Sequence, residues 1–236
     1  MDVASPKGTS STLEAVNNAL DWVYDRALNG VPGVSTVQEM VDSYLTGEKD
    51  CEAAIEELIK WQIGKAGVAG FVSNLGGVIT LPVSIPANLA VVLLIQVRMI
   101  AAIAMMRGYD VKSDQVRTLC TACLTGSAVS DILKDVGIQF GSKLTQQAIK
   151  QVAGATLVKI NQAVGFRLLT KAGSTGIVNL GKAVPFIGGV VGGTFDAMTT
   201  KAIGAAAKHV FTAIEPTLKP NASAPEGVQS VPDQTI

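Results

Sequence analysis

The sequence predicts an all-α protein, a helical bundle that carries two glycine- and proline-rich apolar helical hairpins. Apolar residues recur at the three- and four-residue spacing of one helix face in several segments. Candidate capping residues precede several of these segments. Two stretches, residues 66–97 and 183–195, lack charged side chains and are interrupted by glycine and proline, so we expect each to form a hairpin.

The N-terminal part predicts three ordinary amphipathic helices after a flexible leader over residues 1–10. The first helix begins near Ser11, which has capping-box spacing to Glu14, and it ends at Gly30. The third helix begins after the candidate cap Asp50. The second and third helices present apolar faces made of Val37, Met40, Val41, Tyr44 and Leu45 and of Ile55, Leu58, Ile59 and Gln62.

The first apolar stretch is long enough to cross a bilayer, because residues 66–97 contain no charged side chain. Pro82 and Pro86 interrupt it, and each proline disfavours a helix that continues through it. The stretch therefore predicts a glycine-rich helix near 65–81, a short turn, and a second helix from about 87 to 107.

The rest of the chain predicts further amphipathic helices and a disordered tail over residues 214–236, so that residues 11–213 form one domain. Ser113 caps a helix, Ser127 or Ser130 begins a shorter one, and a last helix spans about 194–213. Between them we expect one long helix over 142–170, with an apolar face made of Leu144, Ala148, Val152, Ala155 and Val158.

The glycines of the two apolar stretches predict close helix packing or membrane contact rather than a nucleotide site. Neither the Walker loop nor the dinucleotide-binding pattern is present, whereas glycines four residues apart give a smooth helix face. The predicted hairpin site consists of Gly76, Gly77, Pro82, Pro86, Gly188, Gly189, Gly192 and Gly193.

Four polar residues stand in or beside the apolar stretches and are the candidate polar contacts of the hairpins: Asn88, Gln96, Arg98 and Asp196. Each would be costly to bury without a partner. Arg98 closes the first stretch and Asp196 follows the second, so we expect an ion pair between them. The alternative is that each side chain reaches the surface at its helix end.

The charge balance argues against nucleic-acid binding, because nineteen basic and nineteen acidic residues cancel. Three cysteines do not suggest a disulfide framework. The N-terminus lacks a basic stretch followed by an apolar run, which would mark a signal peptide. We therefore expect a cytoplasmic protein, in a peripheral position at the inner face of the membrane.

Catalytic chemistry finds little support in the sequence. Cys120 and Cys123 have redox-motif spacing, but both lie on an apolar helix face, which favours core packing. His209 is the single histidine and lies near the end of the last predicted helix. We predict no catalytic residues, no metal site and no cofactor.

The chain resembles the EcsC family over about residues 60–212. The matching motifs are Trp61-Gln62 with Lys65, GFVSNLGGVITLPVSIPANL at residues 70–89, Gln96-x-Arg98-x-x-Ala101-Ala102, Gly108-Tyr109-Asp110, Lys182-x-x-Pro185-x-x-Gly188 and Gly192-Gly193-x-x-Asp196. The family takes its name from a protein encoded beside an ABC transporter and is often described as membrane-associated. The resemblance implies a fold and a membrane neighbourhood, and it supplies no reaction and no catalytic residues.

These observations together predict a non-enzymatic helical protein that associates with a membrane or binds a lipid or another apolar ligand. Two alternatives remain open from the sequence. One is a soluble scaffold or regulatory module that binds a protein partner, such as a transporter or secretion component. The other is a membrane-permeabilising effector.

Overall fold

A computed structural model describes residues 7–31, 33–47, 50–67, 87–138, 145–175 and 188–213. Within these ranges the chain is all-α, as the sequence predicts, and it contains no β-strand. The helices are α1 Lys7–Asn29, α2 Val37–Tyr44, α3 Cys51–Gly67, α4 Ala87–Met106, α5 Asp114–Cys123, α6 Val129–Asp135, α7 Gln146–Lys150, α8 Gly154–Thr175 and α9 Gly188–Val210.

Helix α4 is the centre of the fold. It packs against α1, α2, α3, α5 and α9, and residues 97–104 are buried without interruption. A helix that is apolar on every side is stable only where other helices cover all of its faces. The apolar composition of this segment therefore makes α4 the core helix.

The three N-terminal helices largely follow the prediction, with two corrections. Leu45, predicted on the apolar face of the second helix, follows the end of α2 and is 36% exposed. Helix α1 begins at Lys7, so residues 7–10 are helical and Ser11 does not cap the helix. It ends before Gly30, which has a φ of 76° and where a Cβ would lie 2.9 Å from the backbone oxygen of Val34. The predicted cap at Asp50 is confirmed, since its carboxylate accepts the amide of Ala53 at 3.2 Å.

The single long helix predicted over 142–170 is wrong. Residues 151–153 separate α7 from α8. The backbone amide of Gln151 is shared between the oxygens of Gln147 and Ala148, and that of Val152 donates to Ile149, three residues back, which closes the first helix. The interruption changes which side chains share a face. Ile160 and Val164 are buried on α8, whereas Val158, predicted for the apolar face, is 55% exposed.

Other boundaries agree in part with the sequence. Ser113 caps α5 as predicted, and its hydroxyl accepts the amide of Val116 at 3.4 Å. A 3₁₀ turn at Gly126–Ala128 leads into α6, so neither Ser127 nor Ser130 caps that helix. The last helix begins at Gly188, six residues before the predicted start at 194, because the glycines there are themselves helical.

Candidate functional site

Helices α3 and α9 pack against each other and run antiparallel. A Cβ at Gly204 would lie 3.1 Å from two carbon atoms of Ile59, so the two backbones approach closely at this point. Towards the C-terminal end of α9, Lys208 forms ion pairs with Glu52 and Glu56 in the N-terminal half of α3. Residue numbers therefore rise along α9 as they fall along α3.

Helix α4 runs parallel to α9 and antiparallel to α3. The Nε2 atom of Gln96 donates to Thr200 Oγ1 at 3.3 Å, and the Tyr109 hydroxyl donates to the backbone oxygen of Thr212 at 3.1 Å. The Cys51 thiol, at the beginning of α3, contacts the backbone oxygen of Met106, at the end of α4, at 3.3 Å. These contacts fix the register of all three helices.

This register brings three helix ends together at one end of the bundle, which we call the convergent end. They are the C-terminal end of α3 at Gly67 and the N-terminal ends of α4 at Ala87 and α9 at Gly188. When the register of these contacts is extended at the rise of an α-helix, Gly67 and Ala87 lie at the same height along the bundle as about the first three turns of α9. The first apolar stretch joins two of these ends, and the second leads into the third.

Exposed apolar side chains lie on the helix segments next to the convergent end. Trp61 on α3 is 58% exposed and Met198 on α9 is 72% exposed. Lys60 and Lys201 are exposed at a similar level of the same two helices. Among the helices of the described ranges, none is long and apolar enough to cross a bilayer.

The N-terminal half of α1 and the neighbouring part of α8 lie away from the convergent end. Ser35, which follows α1, contacts Arg98 in the middle of α4, whereas the Tyr24 hydroxyl within α1 donates to the backbone oxygen of Val111, beyond the C-terminal end of α4. Residue numbers therefore fall along α4 as they rise along α1. The N-terminal half of α1 consequently extends away from the convergent end. A Cβ at Gly165 of α8 would lie 3.2 Å from atoms of Leu13 and Asn17 in that half. The neighbouring Phe166 is 56% exposed, remote from the convergent end.

A small pocket of mixed polar and apolar lining lies between α2, α3, α4 and the loop that precedes α2. Its volume is about 180 Å³, and it is open to solvent beside the exposed loop residues Gly33 and Ser35. The pocket is lined by Gly33, Val34, Ser35, Met40, Gln62, Leu94, Ile95 and Arg98. We call it the Arg98 pocket, because Arg98 is the charged residue among its described lining residues.

The Arg98 side chain is 8% exposed and is held by neutral groups. Its Nη2 atom donates to the Ser35 hydroxyl at 3.1 Å and lies 3.8 Å from the sulfur of Met40. The Gln62 amide also donates to this sulfur, at 3.5 Å. Burial lowers the pKa of Arg98, and the carboxylate of Glu39 partly opposes this effect.

The four hairpin positions Gly76, Gly77, Pro82 and Pro86 lie outside the described residues. The four glycines of the second stretch, Gly188, Gly189, Gly192 and Gly193, belong to the first two turns of α9.

The four predicted polar contacts do not form one described cluster. Asn88 begins α4 and Asp196 lies on α9, but their side chains are outside the described part of the protein, so the Arg98–Asp196 ion pair stays a prediction. Gln96 and Arg98 are both buried on α4 but face different neighbours. Gln96 contacts α9 through Thr200, and Arg98 faces the loop at Ser35.

Sequence reasoning missed several residues that line or complete these contacts. Ser35 belongs to a loop, Met40 was assigned only to an apolar face, and Thr200 is a fully buried hydroxyl. Gln62 gave a usable signal, because a glutamine on an otherwise apolar helix face needs a hydrogen-bond partner.

The cysteines belong to the core. Cys120 and Cys123 are fully buried free thiols, and burial raises the pKa of Cys120 to about 12 and that of Cys123 well above its usual value. His209 is exposed near the end of α9. Within the ranges that the structure covers, no three His, Cys, Asp or Glu residues are grouped so that they could hold a metal ion.

The fold and the pocket define an all-α bundle whose core helix presents a buried arginine to a small pocket. Residues 8–213 match the EcsC protein family. Because the match covers most of the 236-residue chain, the chain belongs to this family, which confirms the resemblance seen in the sequence. No curated protein and no solved structure is significantly similar to it.

Proposed function

We propose that this protein is a non-enzymatic peripheral membrane protein that contacts lipid through its convergent end. The observation that carries the proposal is the register of α3, α4 and α9. This register places three helix ends together at one end of the bundle, and the uncharged stretches are attached to these helix ends. Apolar surface collected at one end of a molecule suits contact with a bilayer, since burial there removes it from water.

The residues beside the convergent end support an interfacial position. Trp61 lies about 9 Å along α3 from Gly67, a distance similar to the depth at which amphipathic segments enter the headgroup boundary. Tryptophan is enriched at this boundary, and lysine side chains extend from it towards water. The exposed Lys60 and Lys201 at the level of Trp61 fit that arrangement.

Hydrophobic burial, rather than charge, would drive the binding. Full burial of a large apolar side chain contributes about 1.5–3 kcal/mol. The ring of Trp61 is 58% exposed, so its insertion contributes about 1–2 kcal/mol, or roughly a tenfold change in partitioning. Because the formal charge of the whole chain is zero, anionic lipid should add little to the affinity.

We also propose a cytoplasmic location, with the protein at the inner face of the membrane. Three free cysteines, two of them fully buried in the core, support a reducing compartment.

Vesicle flotation tests the proposal with a matched pair of variants. The wild-type protein should float with phosphatidylcholine vesicles, and Trp61→Gln should lower the partition coefficient about tenfold. Phe166→Gln is the control, because this ring is equally exposed but lies away from the convergent end; it should bind like the wild type. Absence of flotation, or equal losses for both variants, would contradict the proposal. Dye trapped in the same vesicles should stay inside, whereas its release would favour the permeabilising alternative.

A further inference from the structure

The Arg98 side chain differs from the other partly buried cations of the bundle. Arg107 pairs with Glu52, Arg117 with Asp21 and Asp25, and Lys208 with Glu52 and Glu56. Arg98 is at least as buried as these, yet it forms no ion pair with a carboxylate whose side chain the structure describes. A buried charge is expensive unless a counter-charge or several hydrogen bonds compensate it.

The donors that face the Arg98 pocket are held by a weak acceptor. Both Arg98 Nη2 and Gln62 Nε2 point at the thioether sulfur of Met40, at 3.8 and 3.5 Å. A thioether accepts hydrogen bonds only weakly. The Ser35 hydroxyl adds a third polar group, 3.1 Å from Arg98. A group with strong acceptor oxygens would satisfy these donors better than the sulfur does.

Glu39, whose charge acts on Arg98, does not neutralise it directly. One carboxylate oxygen of Glu39 accepts the backbone amide of Thr36 at 2.8 Å and its hydroxyl at 3.1 Å, which closes the capping box of α2. This carboxylate is therefore committed to the helix end and forms no ion pair with Arg98.

The size of the pocket limits what it can hold. A volume of about 180 Å³ corresponds to roughly six waters at about 30 Å³ each and is smaller than the pockets that hold drug-sized molecules. The pocket has apolar walls at Leu94 and Ile95 and an opening to solvent beside Gly33. It therefore has room for one small polar group, and the rest of the ligand would extend through the opening into solvent.

We propose that the Arg98 pocket binds a phosphate group, with the guanidinium of Arg98 as the charged anchor and Ser35 and Gln62 as hydrogen-bond donors. Arginine presents paired N–H groups that match phosphate oxygens. Donors that come from the loop, α3 and α4 surround a tetrahedral group better than a planar carboxylate. The side chains that would bind phosphate, Arg98, Ser35 and Gln62, are not those of the proposed membrane contact, so the site does not depend on that contact.

Calorimetric titration with defined probes tests the site. Inorganic phosphate and glycerol 3-phosphate represent a soluble source, and dioctanoyl phosphatidic acid represents a lipid headgroup, with dioctanoyl phosphatidylcholine and acetate as comparisons. Binding of any phosphomonoester probe supports the site, and binding of phosphatidic acid alone assigns it to a lipid headgroup. Failure of all phosphate probes at 10 mM (roughly the weakest useful affinity), or equally tight binding of acetate, would overturn the proposal.

Variants connect the binding to these residues. Arg98→Met should abolish phosphate binding, and Ser35→Ala, at an exposed loop position that should not affect folding, should weaken it about five- to tenfold. Arg117→Met is the control, since Arg117 pairs with acids outside the pocket. Unchanged affinity in Ser35→Ala and Arg98→Met would refute the assignment. Trp61→Gln should leave phosphate binding intact, which separates a failure of this site from a failure of the membrane proposal.

Discussion

The contact between Gly204 and Ile59 determines how closely α9 can approach α3, so substitution of Gly204 tests the register on which the convergent end depends. In Gly204→Ala the new Cβ would lie 3.1, 3.1 and 3.2 Å from Cγ1, Cγ2 and Cδ1 of Ile59. Ordinary carbon contacts are about 3.5–4.0 Å. Ile59 is buried and β-branched, so it has little freedom to rotate away.

The magnitude follows from two opposing effects. Overpacking of this kind costs about 1–3 kcal/mol, whereas alanine in place of glycine inside a helix gains up to about 1 kcal/mol. Gly204→Ala should therefore lower the free energy of unfolding by up to about 2 kcal/mol. Ile59→Ala removes all three crowded atoms and costs about 2–5 kcal/mol by itself. In that background Gly204→Ala should become stabilising by about 0.5–1 kcal/mol.

Urea unfolding followed by circular dichroism measures all four corners of this double-mutant cycle. The interaction energy between the two positions should be about 1–3 kcal/mol. Gly64→Ala on α3 is the matched control, because no atom lies within 4 Å of the added Cβ, and it should be mildly stabilising in either background. If Gly204→Ala has the same effect with Ile59 and with Ala at position 59, the reasoning about the α3–α9 contact is refuted.

Three further predictions follow from the described contacts. Tyr24→Phe should lower the free energy of unfolding by about 1–2 kcal/mol in urea, because a buried backbone carbonyl loses its donor. Ellman's reagent should label Cys51 slowly in the native protein and Cys120 only in denaturant, since burial raises both thiol pKa values, that of Cys120 to about 12; rapid labelling of all thiols would contradict this. Lys208 lowers the pKa of Glu56. The stability that this pair contributes should therefore be complete above the ordinary glutamate pKa and be lost as the pH falls through the lowered pKa. In thermal melts, Lys208→Met should remove that small loss of stability in acid.

The local helices were predictable because their signals lie within a few residues. The apolar faces of α2 and α3 required only the helical period, and Asp50 and Ser113 cap their helices as predicted. The α7–α8 boundary failed because apolar residues on both sides of residues 151–153 fit one continuous period. The chain bends there through backbone bonds that leave little trace in composition.

The candidate sites were less predictable because they depend on contacts between distant segments. The sequence identified Arg98 as an unusual residue, but its contact with Ser35 joins positions 63 residues apart. The convergent end follows from pairings such as Gln96 with Thr200, which are 104 residues apart. Periodicity and spacing describe one helix at a time and contain no information on which helices are neighbours.

The most direct measurement of the membrane account is lipid quenching of single-tryptophan proteins. Trp22→Phe leaves Trp61 as the only tryptophan beside the convergent end, and Trp61→Phe leaves Trp22 on α1. With vesicles of brominated phosphatidylcholine, the emission of Trp61 should shift to shorter wavelength and be quenched, while that of Trp22 stays unchanged. If neither tryptophan is quenched, or only Trp22 is, the convergent end does not contact lipid.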